Sequence, residues 1–120
     1  MNHSEKFAIS LISLALARNG YRSYEGVPPG LGAVADLLVV GKGERFAVQV
    51  KAVAGRSALP EQLESLRWEY QSKFDVPTFF AFLSNDETSL WLDTALRRRM
   101  RSQDDEVQME ELPEAASTAR

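Results

Sequence analysis

The sequence predicts an α/β domain, a central mixed β-sheet flanked by helices with elements in the order α-β-β-β-α-β-β. Two segments, residues 4–18 and 59–74, repeat apolar side chains every three or four positions, as helices packed on a core do. Five shorter runs read as strands bounded by turn residues. Between the second and third of them lies Gly41-Lys42-Gly43, a tight-turn signal that makes the pair an antiparallel hairpin.

The elements follow in order. Ser4 is placed to cap the first helix, whose apolar residues Phe7, Ala8, Ile9, Leu11, Ile12, Leu14, Ala15, Leu16 and Ala17 end at the stop signal Asn19-Gly20. Residues 21–24 form a short strand. Residues 25–32 contain Val27-Pro28-Pro29-Gly30-Leu31-Gly32, whose prolines exclude helix and central strand and make a loop. The hairpin strands are 33–40 and 45–53. After a second loop, Leu59-Pro60-Glu61 opens a helix with Leu63, Leu66, Tyr70 and Phe74 on one stripe, closed by Asp75-Val76-Pro77. Residues 78–83 are apolar on both faces, as a buried central strand is. Asn85-Asp86-Glu87 turns the chain into a fifth strand, 89–92, and 94–101 is a last helix.

The 120 residues suit one domain, and 44% apolar with 26% charged residues is ordinary for a globular chain. No cysteine is present, which excludes disulfides, thiolate metal sites and cysteine nucleophiles. The one histidine, His3, excludes zinc sites built on paired histidines and argues against a histidine triad. No apolar run approaches the ~20 residues of a membrane span, and no cationic lead-in precedes an apolar core. A cytoplasmic protein without a membrane partner is expected. The net charge of −3 is uneven: residues 1–101 hold 13 Lys/Arg against 11 Asp/Glu, whereas 102–120 hold Arg120 against Asp104, Asp105, Glu106, Glu110, Glu111 and Glu114. The reading is a mildly basic domain over 1–101 and an acidic, disordered tail over 102–120, which keeps nucleic acid open as a partner.

One constellation carries chemistry. Asp36 stands inside the apolar run Val34-Ala35-Asp36-Leu37-Leu38-Val39-Val40, where an unpaired charge costs several kcal/mol and needs a reason. In Phe46-Ala47-Val48-Gln49-Val50-Lys51, strand alternation puts Phe46, Val48 and Val50 on one face and Gln49 with Lys51 on the other. The hairpin brings Asp36 beside Gln49. Glu5 lies on the helix face of Ala8, Ile9, Ile12 and Leu16, which packs on the sheet, so its carboxylate turns toward the same place. Oxygen ligands without histidine or cysteine suit Mg²⁺ or Mn²⁺, and a lysine beside them orients water or offsets phosphate charge.

Glu5, Ala35-Asp36-Leu37-Leu38 and Val48-Gln49-Val50-Lys51 together resemble the metal-dependent nuclease superfamily whose signature is an acidic residue, Asp and (Asp/Glu)-x-Lys. Within it, residues 4–93 look most like the archaeal-type Holliday junction resolvases. The similarity includes an early helix with its glutamate, a glycine-bearing loop before the aspartate, and a second helix ending at a Phe followed by x-x-Pro. The resemblance implies a restriction-endonuclease-like fold and a homodimer that grips a four-way DNA junction and nicks two strands with a divalent metal. By position, Asp36 and Gln49 would hold the metal, Glu5 would support it, and Lys51 would serve catalysis. The chain departs from the family at Gln49, usually Glu, which removes one negative charge from the site. The proline-rich loop departs too, with Ser23 the one candidate for a serine that such loops supply.

Lys6, Arg18, Arg22, Lys42, Arg45 and Arg56 border the elements of this site and are the expected DNA-phosphate contacts. Taken singly, the site residues have plainer readings: Asp36 caps the hairpin or pairs with Lys51, and Glu5 complements the helix dipole. Arg97, Arg98, Arg99 and Arg101 are read as complementing the last helix's dipole in preference to gripping phosphate, and Trp68 and Tyr70 as core or dimer contacts rather than base-stacking platforms. Two alternative functions stay open: a branched-DNA-binding module with weak or no catalysis, and a related phage or restriction-type nuclease.

Overall fold

The structure, a computed structural model, describes residues 3–30, 32–101 and 110–111. Its elements are α1 (His3–Arg18), β1 (Arg22–Val27), β2 (Ala35–Gly41), β3 (Glu44–Val53), a 3₁₀ turn (Arg56–Ala58), α2 (Leu59–Lys73), β4 (Thr78–Ser84), β5 (Leu90–Leu92), α3 (Thr94–Met100) and β6 (Glu110–Glu111). Strands β1 to β5 lie side by side in chain order as a mixed sheet, and two-residue β6 pairs at the far edge. The pairs β1–β2, β2–β3 and β4–β5 are antiparallel. The pairs β3–β4 and β5–β6 are parallel. A parallel neighbour requires a crossover, and α2 supplies it between β3 and β4.

The sheet is covered on both faces, so its central strands alternate between two cores. On one face Ile9, Ile12 and Leu16 of α1 and Leu96 and Met100 of α3 meet Leu37, Val39, Phe46, Val48 and Val50. On the other, Leu59, Leu63 and Tyr70 of α2 meet Ala47, Phe80, Phe82 and Trp91. Each large apolar side chain removed from water here is worth about 1.5–3 kcal/mol. Asp93, 1% exposed, belongs to neither core. It caps α3 by accepting from the Ala95 N–H and takes an ion pair from Arg67 of α2 at 3.2 Å.

The hairpin closes on Gly41↔Glu44, with Lys42 and Gly43 both at positive φ, 53° and 75°, as a two-residue primed turn requires. The tip presses on the end of α1: a Cβ on Gly41 would stand 2.6 Å from the Gly20 carbonyl oxygen, so no other residue fits. Glu44 then locks the tip to two other elements. Its carboxylate accepts from the Tyr21 hydroxyl at 2.9 Å and from Arg99 Nη2 at 2.6 Å. The Arg99 guanidinium stacks over Phe46 and Phe79, 5.4 and 4.8 Å from the ring centroids.

The structure departs from the expectations in particular places. α1 begins at His3, so Ser4 lies inside the helix rather than before it. β1 runs on to Val27, past the expected strand end, because Glu25 and Val27 pair with Leu37 and Ala35 of β2. Trp68 is not a core residue; it is 78% exposed on the outer side of α2. In the acidic tail, Glu110 and Glu111 pair with Trp91 and Leu92. The rest of the tail lies outside the described residues.

The Arg99–Glu44 pair yields a stability prediction. The Arg99 hydrogen bonds, and then the Tyr21 hydroxyl, hold the Glu44 carboxyl below its ordinary pKa. A depressed carboxylate adds stability above the ordinary carboxylate pKa and loses it as pH falls through the depressed value. Glu44 is 35% exposed, so screening leaves much of the effect to the stacked guanidinium. Arg99→Ala is expected to cost about 1–2 kcal/mol at pH 7. Thermal denaturation at neutral and acid pH checks this: the gap from the native chain should narrow in acid.

Candidate functional site

The hairpin ladder runs from Gly41↔Glu44 to Leu37↔Val48 and then changes character. At the next step, side chains take the backbone's place. Gln49 Oε1 accepts the Asp36 backbone N–H at 2.6 Å, and Asp36 Oδ2 accepts the Val50 N–H at 2.8 Å. β3 continues along β4 from Gln49↔Phe80 to Val53↔Ser84, while β2 ends at Ala35 and leaves it. The two strands part here, and the gap forms a cleft of about 310 Å³.

Four of the side chains singled out in the sequence line this cleft: Glu5, Asp36, Gln49 and Lys51, with Ile9 of α1 completing a wall. Glu5 reaches it from the first turn of α1, because Ile9 and Ile12 anchor the same helix face on the sheet. Gln49 is buried, and Glu5, Asp36 and Lys51 are half-buried at the mouth. Lys51 Nζ donates to the Tyr70 hydroxyl at 2.8 Å. Gln49 Nε2 donates to the same oxygen at 3.4 Å, so one phenol on α2 orients both the ammonium and the amide. The Lys51 ammonium lies 5.1 Å from the Tyr70 ring centroid, and that of Lys73 lies 4.9 Å from it.

Burial pushes the Asp36 carboxyl above its ordinary pKa. The Val50 N–H and the Lys51 charge pull it back, while the Glu5 charge pushes it further up. Two carboxylates facing one gap repel each other, and a cation between them reverses the sign. The donors are carboxylate and amide oxygens, which suit a hard divalent cation that keeps some of its water. Among the described residues, no group of three or more His, Cys, Asp or Glu side chains is placed to hold a metal ion, so Gln49 would have to supply the third ligand.

The six basic residues expected along the site divide into two groups. Lys6 adjoins Glu5, and Arg56 follows β3 beyond Lys51, so both stand at the cleft end of their elements. Arg18, Arg22, Lys42 and Arg45 stand at the other end, around the hairpin tip and the end of α1. Arg45 also donates to the Pro29 carbonyl at 2.7 Å and ties down the proline loop. Ser23 lies in β1 opposite Val39, in the strand expected over 21–24, with its hydroxyl buried. The residue missed as a site member is Tyr70. The signal was available: a tyrosine on an otherwise apolar helix stripe must find a partner for its hydroxyl.

Comparison of the chain with family models, with curated proteins and with solved structures finds no match.

An ionised carboxylate held against its desolvation cost weakens the fold at neutral pH. Its burden lifts as pH falls through the raised pKa and the group takes up a proton. Asp36→Asn keeps an oxygen for the Val50 N–H and drops the charge. The variant is expected to melt at or above the native temperature at pH 7, with the native chain catching up in acid; calorimetry at both pH values checks this.

Proposed function

We propose that the chain is a divalent-metal-dependent endodeoxyribonuclease with a restriction-endonuclease-like fold, a Holliday junction resolvase that makes paired nicks in branched DNA. The observation that carries this reading is the meeting of Glu5, Asp36, Gln49 and Lys51 around one cleft where β2 and β3 part. Asp36, the Gln49 amide oxygen and Glu5 would hold Mg²⁺ or Mn²⁺, which when bound supplies an acidified water and positive charge at the scissile phosphate. Lys51 is fixed by Tyr70 with its charge at the mouth, where it orients water or offsets charge on the phosphate oxygens. Lys6 and Arg56 contact phosphates beside the cleft.

A second reading, a branched-DNA-binding module with weak or no catalysis, is favoured by one specific observation. The Gln49 oxygen already accepts the Asp36 N–H, and an amide brings no charge to a cation. A four-way junction and a matched linear duplex, each with and without Mg²⁺, separate the readings. Symmetric nicking of the junction alone supports the resolvase, binding without cutting supports the module, and cutting of linear duplex supports a phage or restriction-type nuclease. Asp36→Asn is expected to lower cutting by at least about 100-fold, the scale of losing a group that stabilises transition-state charge. Gln49→Glu, which keeps an acceptor for the Asp36 N–H and adds charge, is expected to lower the Mg²⁺ concentration needed.

Paired nicks call for two active sites, and a homodimer would supply them. Phe7 and Leu14, 69% and 51% exposed, stand one above the other on the side of α1 away from the core residues Ile9, Ile12 and Leu16. Leu14→Glu is expected to turn a dimer at micromolar concentration into a monomer in sedimentation; a native chain already monomeric there would exclude this assembly.

A further inference from the structure

The end of the sheet away from the cleft gathers cations from three separate segments. Asn19 Nδ2 donates to the Met100 carbonyl at 2.9 Å, tying the last turn of α3 to the end of α1. The Lys42 ammonium lies 5.4 Å from the Tyr21 ring centroid, and Arg22 pairs with Val40, which brings the hairpin tip to the same corner. Residues 18–22, 41–45 and 97–101 together hold eight basic side chains and one carboxylate, Glu44. That carboxylate is engaged by Arg99 and Tyr21. Arg22, Lys42, Arg98 and Arg101 are exposed around it.

The last carbonyl of α3, on Met100, already takes the Asn19 amide, and the Ala95 carbonyl takes Arg99 Nη1. Arg98 and Arg101 stand exposed beside these contacts. Cations spread over three segments match phosphates repeated along a backbone better than one small anion. Arg18 is separated from Glu5 by most of α1, about 20 Å at 1.5 Å per residue. That is comparable with the width of a DNA duplex, so phosphates held at this end belong to a different stretch of backbone from the one in the cleft.

We infer that this basic end is a second phosphate-backbone surface, which holds one duplex arm of a branched DNA while another arm lies at the carboxylate cleft. The inference rests on the reading of the chain as a branched-DNA protein and concerns how it prefers branches. The test is Arg22→Gln, Lys42→Gln and Arg98→Gln combined, in the Asp36→Asn chain without added metal. Fluorescence anisotropy measures binding to a four-way junction and to a matched linear duplex over a range of salt. The expected result is at least a tenfold loss on the junction and less than threefold on the duplex. The slope of log affinity against log salt on the junction should fall by about 2–3, the number of phosphate contacts removed. Circular dichroism confirms the fold, and Arg22→Lys with Arg98→Lys should keep junction affinity within threefold.

Three results would overturn the inference: an equal loss on both DNAs, which marks a diffuse basic surface; a junction loss below threefold; or no junction binding by the parent chain. A native chain that binds junctions through these residues but cuts nothing with Mg²⁺ would refute the nuclease and leave this surface standing.

Discussion

At Asp36 the hairpin stops being a ladder, and the rest of the working end follows from how its two strands are held as they part. An antiparallel pair that opens inside a domain leaves backbone donors without partners, each costing about 1–3 kcal/mol if buried. Here the strands repair each other with side chains, Asp36 accepting from Val50 and Gln49 accepting from Asp36. The same two side chains that satisfy the backbone also line the gap. A carboxylate in this position is both a structural acceptor and a charge held where solvation is poor, and this is why burial raises its pKa. Tyr70 completes the arrangement from the opposite helix, sharing one oxygen between the lysine and the amide.

Much of this was legible in the sequence because it depends on short-range rules. Gly41-Lys42-Gly43 specified the hairpin and hence the juxtaposition of Asp36 with Gln49. Strand alternation put Gln49 and Lys51 on the face away from Val48, and helix periodicity turned Glu5 inward. What escaped depends on long-range docking. Tyr70 becomes a site residue only when α2 crosses over between β3 and β4. The segregation of the basic residues depends on strand direction: Arg22 and Val27 belong to one strand, yet sit at opposite ends of the sheet. Trp68 was open to a core or a dimer role, and the stripe of Leu63, Leu66 and Tyr70 removes the first by leaving it on the solvent side of α2. The pairing of Glu110 with Trp91 had no local signal at all.

Charge is therefore organised by position rather than amount. The −3 net charge describes neither end of the molecule. At the cleft, two carboxylates face each other across a gap with one ammonium beside them. At the hairpin tip, the single carboxylate of residues 41–45 is engaged by Arg99 and Tyr21.

Both ends are mounted on one rod. α1 carries Glu5 in its first turn and Arg18 in its last, and an uninterrupted helix of 16 residues transmits tilt without bending. Ile9, Ile12 and Leu16 fix the whole rod to one core, so a substitution that shifts it on the sheet displaces the carboxylate at one tip and the guanidinium at the other together.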